Sequence, residues 1–261
     1  MIPKIIHYCW FGGGELSPLL KKCINSWQKH CPDYEIIEWN ELNFDVNSNS
    51  WTKEAYKQKK FAFVSDYVRL FVLYKYGGVY LDTDIEIIKG IDYLLTHNAF
   101  TGFESDQYIQ TGIIGSTPNN SIIKKFLDYY SERHFVNRDG SIEDVPNVRI
   151  FTEILKEYGL TVINKYQSLN EIIIYPQTYF CPIDPNGNRD FSKNTYCIHH
   201  FTSTWRSYKE QRQVAFMHKW YYPIYRGFVG AAIKSIKFLI GNGNARKLYT
   251  IYKERFLRIE K

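Results

Sequence analysis

The sequence predicts an α/β fold, a sheet flanked by helices with a basic helical segment at its C-terminal end. Three observations predict it. The first forty residues read as strand, helix, strand, the order of a parallel βαβ unit. Residues 61–86 read as a long helix that turns on Tyr76-Gly77-Gly78 into a short apolar strand ending in Asp82-Thr83-Asp84. The 261 residues are 44% hydrophobic, enough for one sizeable core.

In chain order, Lys4–Phe11 is a buried first strand, and Gly12-Gly13-Gly14 makes an open loop where backbone can approach a ligand. These glycines lack both the G-x-G-x-x-G spacing and the P-loop lysine pattern. Trp10 stands at the strand end beside them, placed either to stack on a nucleotide base or to fill the core. Ser17-Pro18 starts a helix, with Ser as cap and Pro in the first turn. Leu20, Cys23, Ile24, Trp27 and Cys31 form its buried face, and Tyr34–Trp39 is the second strand. A ligand is expected at the strand C-termini. Residues 51–60 read as a polar approach loop and the first turn of the long helix.

That helix buries Phe61, Val64, Val68, Phe71 and Val72, which recur at three- and four-residue steps. The glycines stop it, because glycine adopts the left-handed conformation a helix C-terminus needs. Val79–Leu81 follows as a strand. Residues two apart on a strand share a face, so Asp82 and Asp84 are expected side by side, offering oxygens that suit Mg2+ or Mn2+. Ala62, Asp66 and Arg69 share one helix stripe, and the fork of Arg69 suits a phosphate. For an isolated Asp-x-Asp, a surface acidic turn beside a helix salt bridge is the plainer reading.

Further along, residues 85–88, 100–104 and 108–116 read as strands or extended segments. Ser121 caps a helix with Ile123, Phe126, Leu127 and Tyr130 on one face; 146–159 is a further helix, and 171–175 is a strand that Pro176 places at an edge or end. Residues 197–205 bring His199, His200, Ser203 and Trp205 together. Adjacent histidines on a strand point to opposite sides, so at most one faces a metal, and a neutral imidazole suits Mn2+ better than Mg2+.

The 22 tyrosines give flat faces with polar tips, useful against sugars and bases. Five cysteines without a C-x-x-C pair indicate neither a zinc ribbon nor a disulfide framework, and fit a reduced, cytosolic compartment. No signal peptide or transmembrane run is expected. The net charge of +6 is uneven: from Phe216 onward ten Lys/Arg meet two Glu. The expected division is therefore a catalytic domain over 1–215 and a basic amphipathic tail over 216–261. Such a tail suits the inner face of an anionic membrane; no nucleic-acid reading motif accompanies it.

The segment SDYVRLFVLYKYGGVYLDTD resembles the DXD sugar-binding signature of glycosyltransferase family 32, with Ser65-Asp66, Arg69, the Tyr-Gly-Gly turn, Tyr80-Leu81 and the Asp pair in order. That family includes yeast mannosyltransferases and bacterial capsule and lipopolysaccharide enzymes, and the large clostridial glucosylating toxins carry a related segment. The resemblance implies a GT-A fold, a Rossmann-like mixed sheet flanked by helices. It also implies a nucleotide-sugar donor, UDP-hexose favoured, a divalent cation, retention of configuration and an oligosaccharide or lipid-linked glycan acceptor. It places Trp10 on the base, Gln110 facing the donor sugar, and the pattern His200-x-x-Ser203-x-Trp205 at the metal and pyrophosphate. The toxins carry an acidic ligand where this chain has His200. In this reading Asp82, Asp84, Arg69 and Gln110 are catalytic; Asp84, His200 and Ser203 hold the metal; and Trp10, Asp66, Arg69, Asp82, Ser203 and Trp205 hold the donor, Asp66 through ribose or sugar hydroxyls.

Three other readings share parts of this pattern. A D-x-D-x-T phosphohydrolase would need Thr where Glu86 stands. A non-catalytic nucleotide-sugar-binding protein would bind donor without turnover. A toxin-like protein glycosyltransferase would need delivery machinery.

Overall fold

The computed structural model describes residues 1–143, 145–184 and 187–202. Strand β1 (Ile5–Cys9) leads through helix α1 (Pro18–His30) into β2 (Glu35–Trp39), parallel to β1 with Ile5 opposite Glu35 and Cys9 opposite Trp39. Ser17 caps α1 by accepting from the Leu20 amide, as its sequence predicts. The buried Trp27 of α1 donates its indole N–H to Ile85 O at 2.7 Å.

Residues 50–57 form a helix, α2 (Ser50–Lys57), where the polar composition suggested a loop. Asn49 caps it through the amides of Trp51 and Thr52, and Trp51, Thr52 and Ala55 pack inward. Helix α3 (Phe61–Tyr76) then runs into β3 (Gly78–Leu81), which pairs parallel to β1 on the side opposite β2. The chain crosses from β1 to neighbours on both sides, the kind of topological switch at whose strand C-termini open α/β sheets bind ligands. Trp10 and Asp82 follow directly on the C-terminal ends of β1 and β3.

The sheet continues through β6 (Ile113–Ser116), antiparallel to β3, then β5 (Ala99–Gly102), β8 (Ile172–Tyr175) and β7 (Gln167–Leu169), in the order β2-β1-β3-β6-β5-β8-β7. The edge belongs to β7; β8 lies one strand in and ends at Pro176. The strand expected over 108–116 is paired in β6 only from Ile113. Helices α4 (Ser121–Ser131) and α5 (Asn147–Glu157) complete the first face, and the side chain that caps α4 is Asn120, with Ser121 its first helical residue.

Two apolar layers sandwich the sheet. Tyr80 points into the layer of Trp51, Val64, Val68, Phe126 and Phe151, while its neighbours Val79 and Leu81 point into that of Trp27, Leu94, Phe100 and Phe180. A separate ribbon pairs β4 (Ile85–Ile87) with β9 (Cys197–His199), antiparallel, Ile85 opposite His199. The expected α/β architecture, a mixed sheet flanked by helices, is present. The five cysteines are buried and unpaired. Among the described residues no helix is long and apolar enough to cross a membrane.

Candidate active site

The approach to the Asp pair is set by a buried clamp. His7 Nε2 lies 2.8 Å from Gly77 O, and Trp39 donates its indole N–H to His7 Nδ1 at 3.1 Å. The two bonds assign the ring: Nε2 carries the proton, Nδ1 accepts, and the imidazole is neutral. Burial pushes its pKa down to about 4, with the Gly77 carbonyl opposing. Gly77 takes φ +67°, and Gly78, at φ +101°, lies so close that a Cβ there would stand 2.7 Å from Ile5 O. Only glycine lets the chain leave α3 and start β3 against β1 at this distance. The sequence showed His7 only as one residue of a buried strand.

The two aspartates meet through a turn. Leu81 ends the strand, Asp82 N donates to Gly112 O, and Ile85 N returns to Asp82 O at 3.0 Å. Strand alternation, the expected cause of their convergence, is therefore replaced by a tight turn over 82–85. Asp82 Oδ1 accepts from Tyr80 Oη at 3.0 Å and faces Arg69 Nη2 at 3.4 Å.

Arg69 lies behind the pair. Its Nη2 meets Asp66 Oδ1 at 2.9 Å, Nη1 donates to Thr111 O at 2.7 Å, Nε to Ser65 O at 3.3 Å, and the guanidinium lies 4.7 Å from the Tyr80 ring centroid. This buried fork is committed to protein groups, which corrects the expectation that it reaches for a phosphate; it ties α3 to the loop before β6. Asp66 is buried too, and its Oδ1 also accepts from Asn147 Nδ2 of α5, a residue no motif flagged. Burial pushes the Asp66 carboxyl up to about 7, with Arg69 opposing and Asp82 reinforcing. Its carboxyl oxygen is engaged by Arg69 and Asn147, where the sequence placed it on ribose or sugar hydroxyls.

The β4–β9 ribbon closes the site. His199 Nε2 lies 3.3 Å from Asp84 Oδ1, while Thr202 donates its amide at 2.8 Å and its hydroxyl at 2.9 Å to Asp84 Oδ2. Phe201 turns at φ +48°, unusual for a bulky side chain, and stacks on the His199 ring at 3.9 Å. Asp84 is 7% exposed. Burial favours its neutral form, yet the charge and hydrogen bonding of His199 and the two Thr202 donors hold the carboxyl well below the usual range. His199 responds in the opposite sense: burial lowers it, and Asp84 raises it well above the ordinary imidazole value.

The sequence expectation for His200 is corrected here. The two histidines do face opposite ways, but His200 Nε2 meets Glu86 Oε2 at 2.9 Å, with Lys22 on the same carboxylate at 2.8 Å. The histidine brought to the Asp pair is His199, because β9 pairs with β4 in the register that sets it opposite Ile85. Gln110 is fully buried in the loop before β6, with Oε1 accepting from Cys181 Sγ at 3.3 Å. Trp10 is partly exposed at the end of β1, and its indole N–H donates to Gly14 O at 2.6 Å, folding the glycine loop over the strand end. Ser203, Trp205 and the tail over 216–261 lie outside the described residues.

Asp82, Asp84 and His199 each offer one ligand atom, all within 4.8 Å of one another. Gly112 fits against them so closely that a Cβ there would lie 3.1 Å from Asp82 Oδ2 and 3.1 Å from His199 Cε1. Two carboxylates and an imidazole are a suitable donor set for a first-row divalent cation such as Mn2+.

The site is thus a carboxylate pair at the end of a sheet strand, with a histidine closing on it and an aromatic following the neighbouring strand, a group that could hold a divalent cation. The comparisons narrow this. Residues 17–101 match the family described as a glycosyltransferase sugar-binding region containing a DXD motif. It is 33% identical over 122 residues to inositol phosphoceramide mannosyltransferase 3 of Schizosaccharomyces pombe, across 44% of this chain and 33% of the relative. It is 24% identical over 235 residues to an uncharacterized glycosyltransferase of Acanthamoeba polyphaga mimivirus, across 84% of this chain and 90% of the relative. Among solved structures it aligns with the PaToxG glycosyltransferase at 20% identity and TM-score 0.47, over 60% of this chain and 69% of that one. Its match to the fission-yeast relative thus spans about a third of that protein's length.

Proposed function

We propose that the protein is a metal-dependent glycosyltransferase that moves a sugar from a nucleotide-sugar donor, UDP-hexose favoured, to a glycan acceptor. The observation that carries this reading is the convergence of Asp82, Asp84 and His199 beyond the C-terminal end of β3. A divalent cation bound there supplies Lewis-acid neutralisation of the departing diphosphate. The chain's own part is to hold the cation's ligands. Thr202 fixes the ionised Asp84, Tyr80 and Arg69 orient Asp82, and Phe201 holds the His199 ring. Trp10 offers an aromatic face for the base.

Retention of configuration is part of the proposal. Asp66 is engaged by Arg69 and Asn147, Asp82 by Tyr80 and Arg69, and Asp84 by His199 and Thr202. None of these three carboxylates is positioned as a separate base, which suits a route in which the leaving phosphate accepts the acceptor's proton. The setting proposed is surface-polysaccharide assembly on the cytoplasmic side, with the basic tail resting on an anionic membrane.

The test is donor hydrolysis by the purified chain with Mn2+ and a panel of UDP- and GDP-sugars, reading nucleotide release. Release from one donor, abolished by a chelator, establishes the enzyme and names its sugar. Donor binding with no release, even across an acceptor screen, would make it a binding protein instead.

A further inference from the structure

Behind His199 lies a buried polar cluster that joins Gln110 to Cys181, a residue no motif singles out. Cys181 follows the 3-10 turn Gln177–Tyr179 and is fully buried. Its Sγ donates to Gln110 Oε1 at 3.3 Å, and burial pushes the thiol up while the His199 imidazole opposes that shift. His199 aims Nε2 at Asp84, 3.3 Å away. Its other ring nitrogen, Nδ1, is buried with no hydrogen-bond partner among the described residues. The ring cannot easily turn to find one, since Phe201 covers a face and Gly112 abuts its edge.

An imidazole that gives its Nε2 lone pair to a cation carries its proton on Nδ1, and the partner of that proton fixes the tautomer. The acceptor beside the ring is the Cys181 sulfur, and the thiol's own single proton is already directed at Gln110 Oε1. A small approach of the ring to that sulfur would give the chain of donors one direction, from His199 Nδ1–H to Cys181 Sγ–H to Gln110 Oε1. We propose that Cys181 and Gln110 are positioning residues for the metal site, a relay that holds His199 in the tautomer whose Nε2 is open to the cation. The inference rests on the reading of Asp82, Asp84 and His199 as metal ligands.

The experiment titrates the full chain with Mn2+ and reads free Mn2+ by its electron paramagnetic resonance signal, for the wild type, Cys181→Ser, Cys181→Ala, Gln110→Leu and Asp84→Asn. A serine hydroxyl can still accept from the ring and donate to Gln110, whereas alanine cannot. Expected is a loss of about tenfold in Mn2+ affinity for Cys181→Ala, with Cys181→Ser restored to within about threefold of wild type. Gln110→Leu should fall between them. Serine and alanine both remove the sulfur's bulk, so this order reads the hydrogen bond and not the volume. If Cys181→Ala fails to fold, Cys181→Ser against Gln110→Leu carries the same comparison. Cys181→Ala binding Mn2+ as tightly as wild type while Asp84→Asn loses it would overturn the relay and leave the metal site standing. No Mn2+ binding by the wild type would overturn the metal site, and the relay with it.

Discussion

The two halves of the site are held by different means. The half built from α3 and β3 is local in sequence: Asp66, Arg69, Tyr80 and Asp82 fall within seventeen residues and are fixed by one buried guanidinium and a glycine turn clamped by His7. The half built from β4 and β9 joins residues more than a hundred positions apart, and its geometry is decided by one strand register. The first is a rigid platform in the core. The second is a closing ribbon whose main polar contacts converge on a single carboxylate, Asp84. Damage to the platform should therefore appear as lost stability, and damage to the ribbon as lost metal and lost turnover.

The largest effect should come from the ribbon side. Asp84→Asn keeps the shape and the Thr202 amide bond but removes the charge that pairs with His199 and would hold a cation. Turnover is expected to fall by about a thousandfold or more, the order of losing several kcal/mol of transition-state charge stabilisation, with the thermal midpoint little changed. A parallel fall in stability would mean that Asp84 belongs to the platform. On the platform side, Arg69→Met leaves Asp66 and Asp82 without their shared cation. Breaking a buried pair in this way costs about 3–5 kcal/mol, read by urea unfolding. The lower end is expected, because Asp66 can take up a proton near neutral pH. A loss below about 1 kcal/mol, the range of an exposed pair, would show that Arg69 is not the strut of the platform.

The platform also carries two buried groups that titrate in opposing senses. His7 binds its proton near 6.5 when unfolded and near 4 when folded, so below 6.5 the unfolded chain binds more protons and stability falls as pH falls. Asp66 is raised from 3.8 to about 7, so the folded chain binds more protons between those values and stability falls as pH rises. Over pH 4.5–6.5 the two offset each other. Asp66→Asn removes one arm, and the difference in unfolding free energy between variant and wild type should drift by about 3 kcal/mol across that window in favour of the variant at the upper end. A constant difference across the window would show that Asp66 is ionised throughout, as in an open donor site.

The same division explains what the sequence disclosed. Helix α3, its glycine stop and the Asp pair were legible because each depends on near neighbours: helical spacing, a left-handed glycine and a short apolar strand. The role of Arg69 was not, because the fork that suits a phosphate equally suits Asp66, Asp82 and a carbonyl, and only the burial of α3 decides between them. Helix α2 was hidden by its exposed lysines, although Asn49 followed by Trp51 and Ala55 is a cap and an inward face. His7, Asn147, Cys181 and Thr202 act through partners 70, 81, 71 and 118 residues away, contacts that spacing along the chain does not encode.

The adjacent histidines give the finest test of the comparison, since they share a backbone and differ only in the face they present. Resemblance to a His-x-x-Ser-x-Trp pattern pointed to His200; the register of β9 points to His199. His199→Ala should weaken Mn2+ binding by at least about tenfold, the scale on which even supporting groups of a metal site act. His200→Ala should leave it unchanged. Its partner Glu86 keeps Lys22 at 2.8 Å, so no carboxylate is stranded and the stability cost should stay below the about 3–5 kcal/mol of breaking a buried pair. If His200→Ala abolishes Mn2+ binding and His199→Ala does not, β9 is shifted by one residue when the cation binds. Such a slip would exchange the faces of both rings at once.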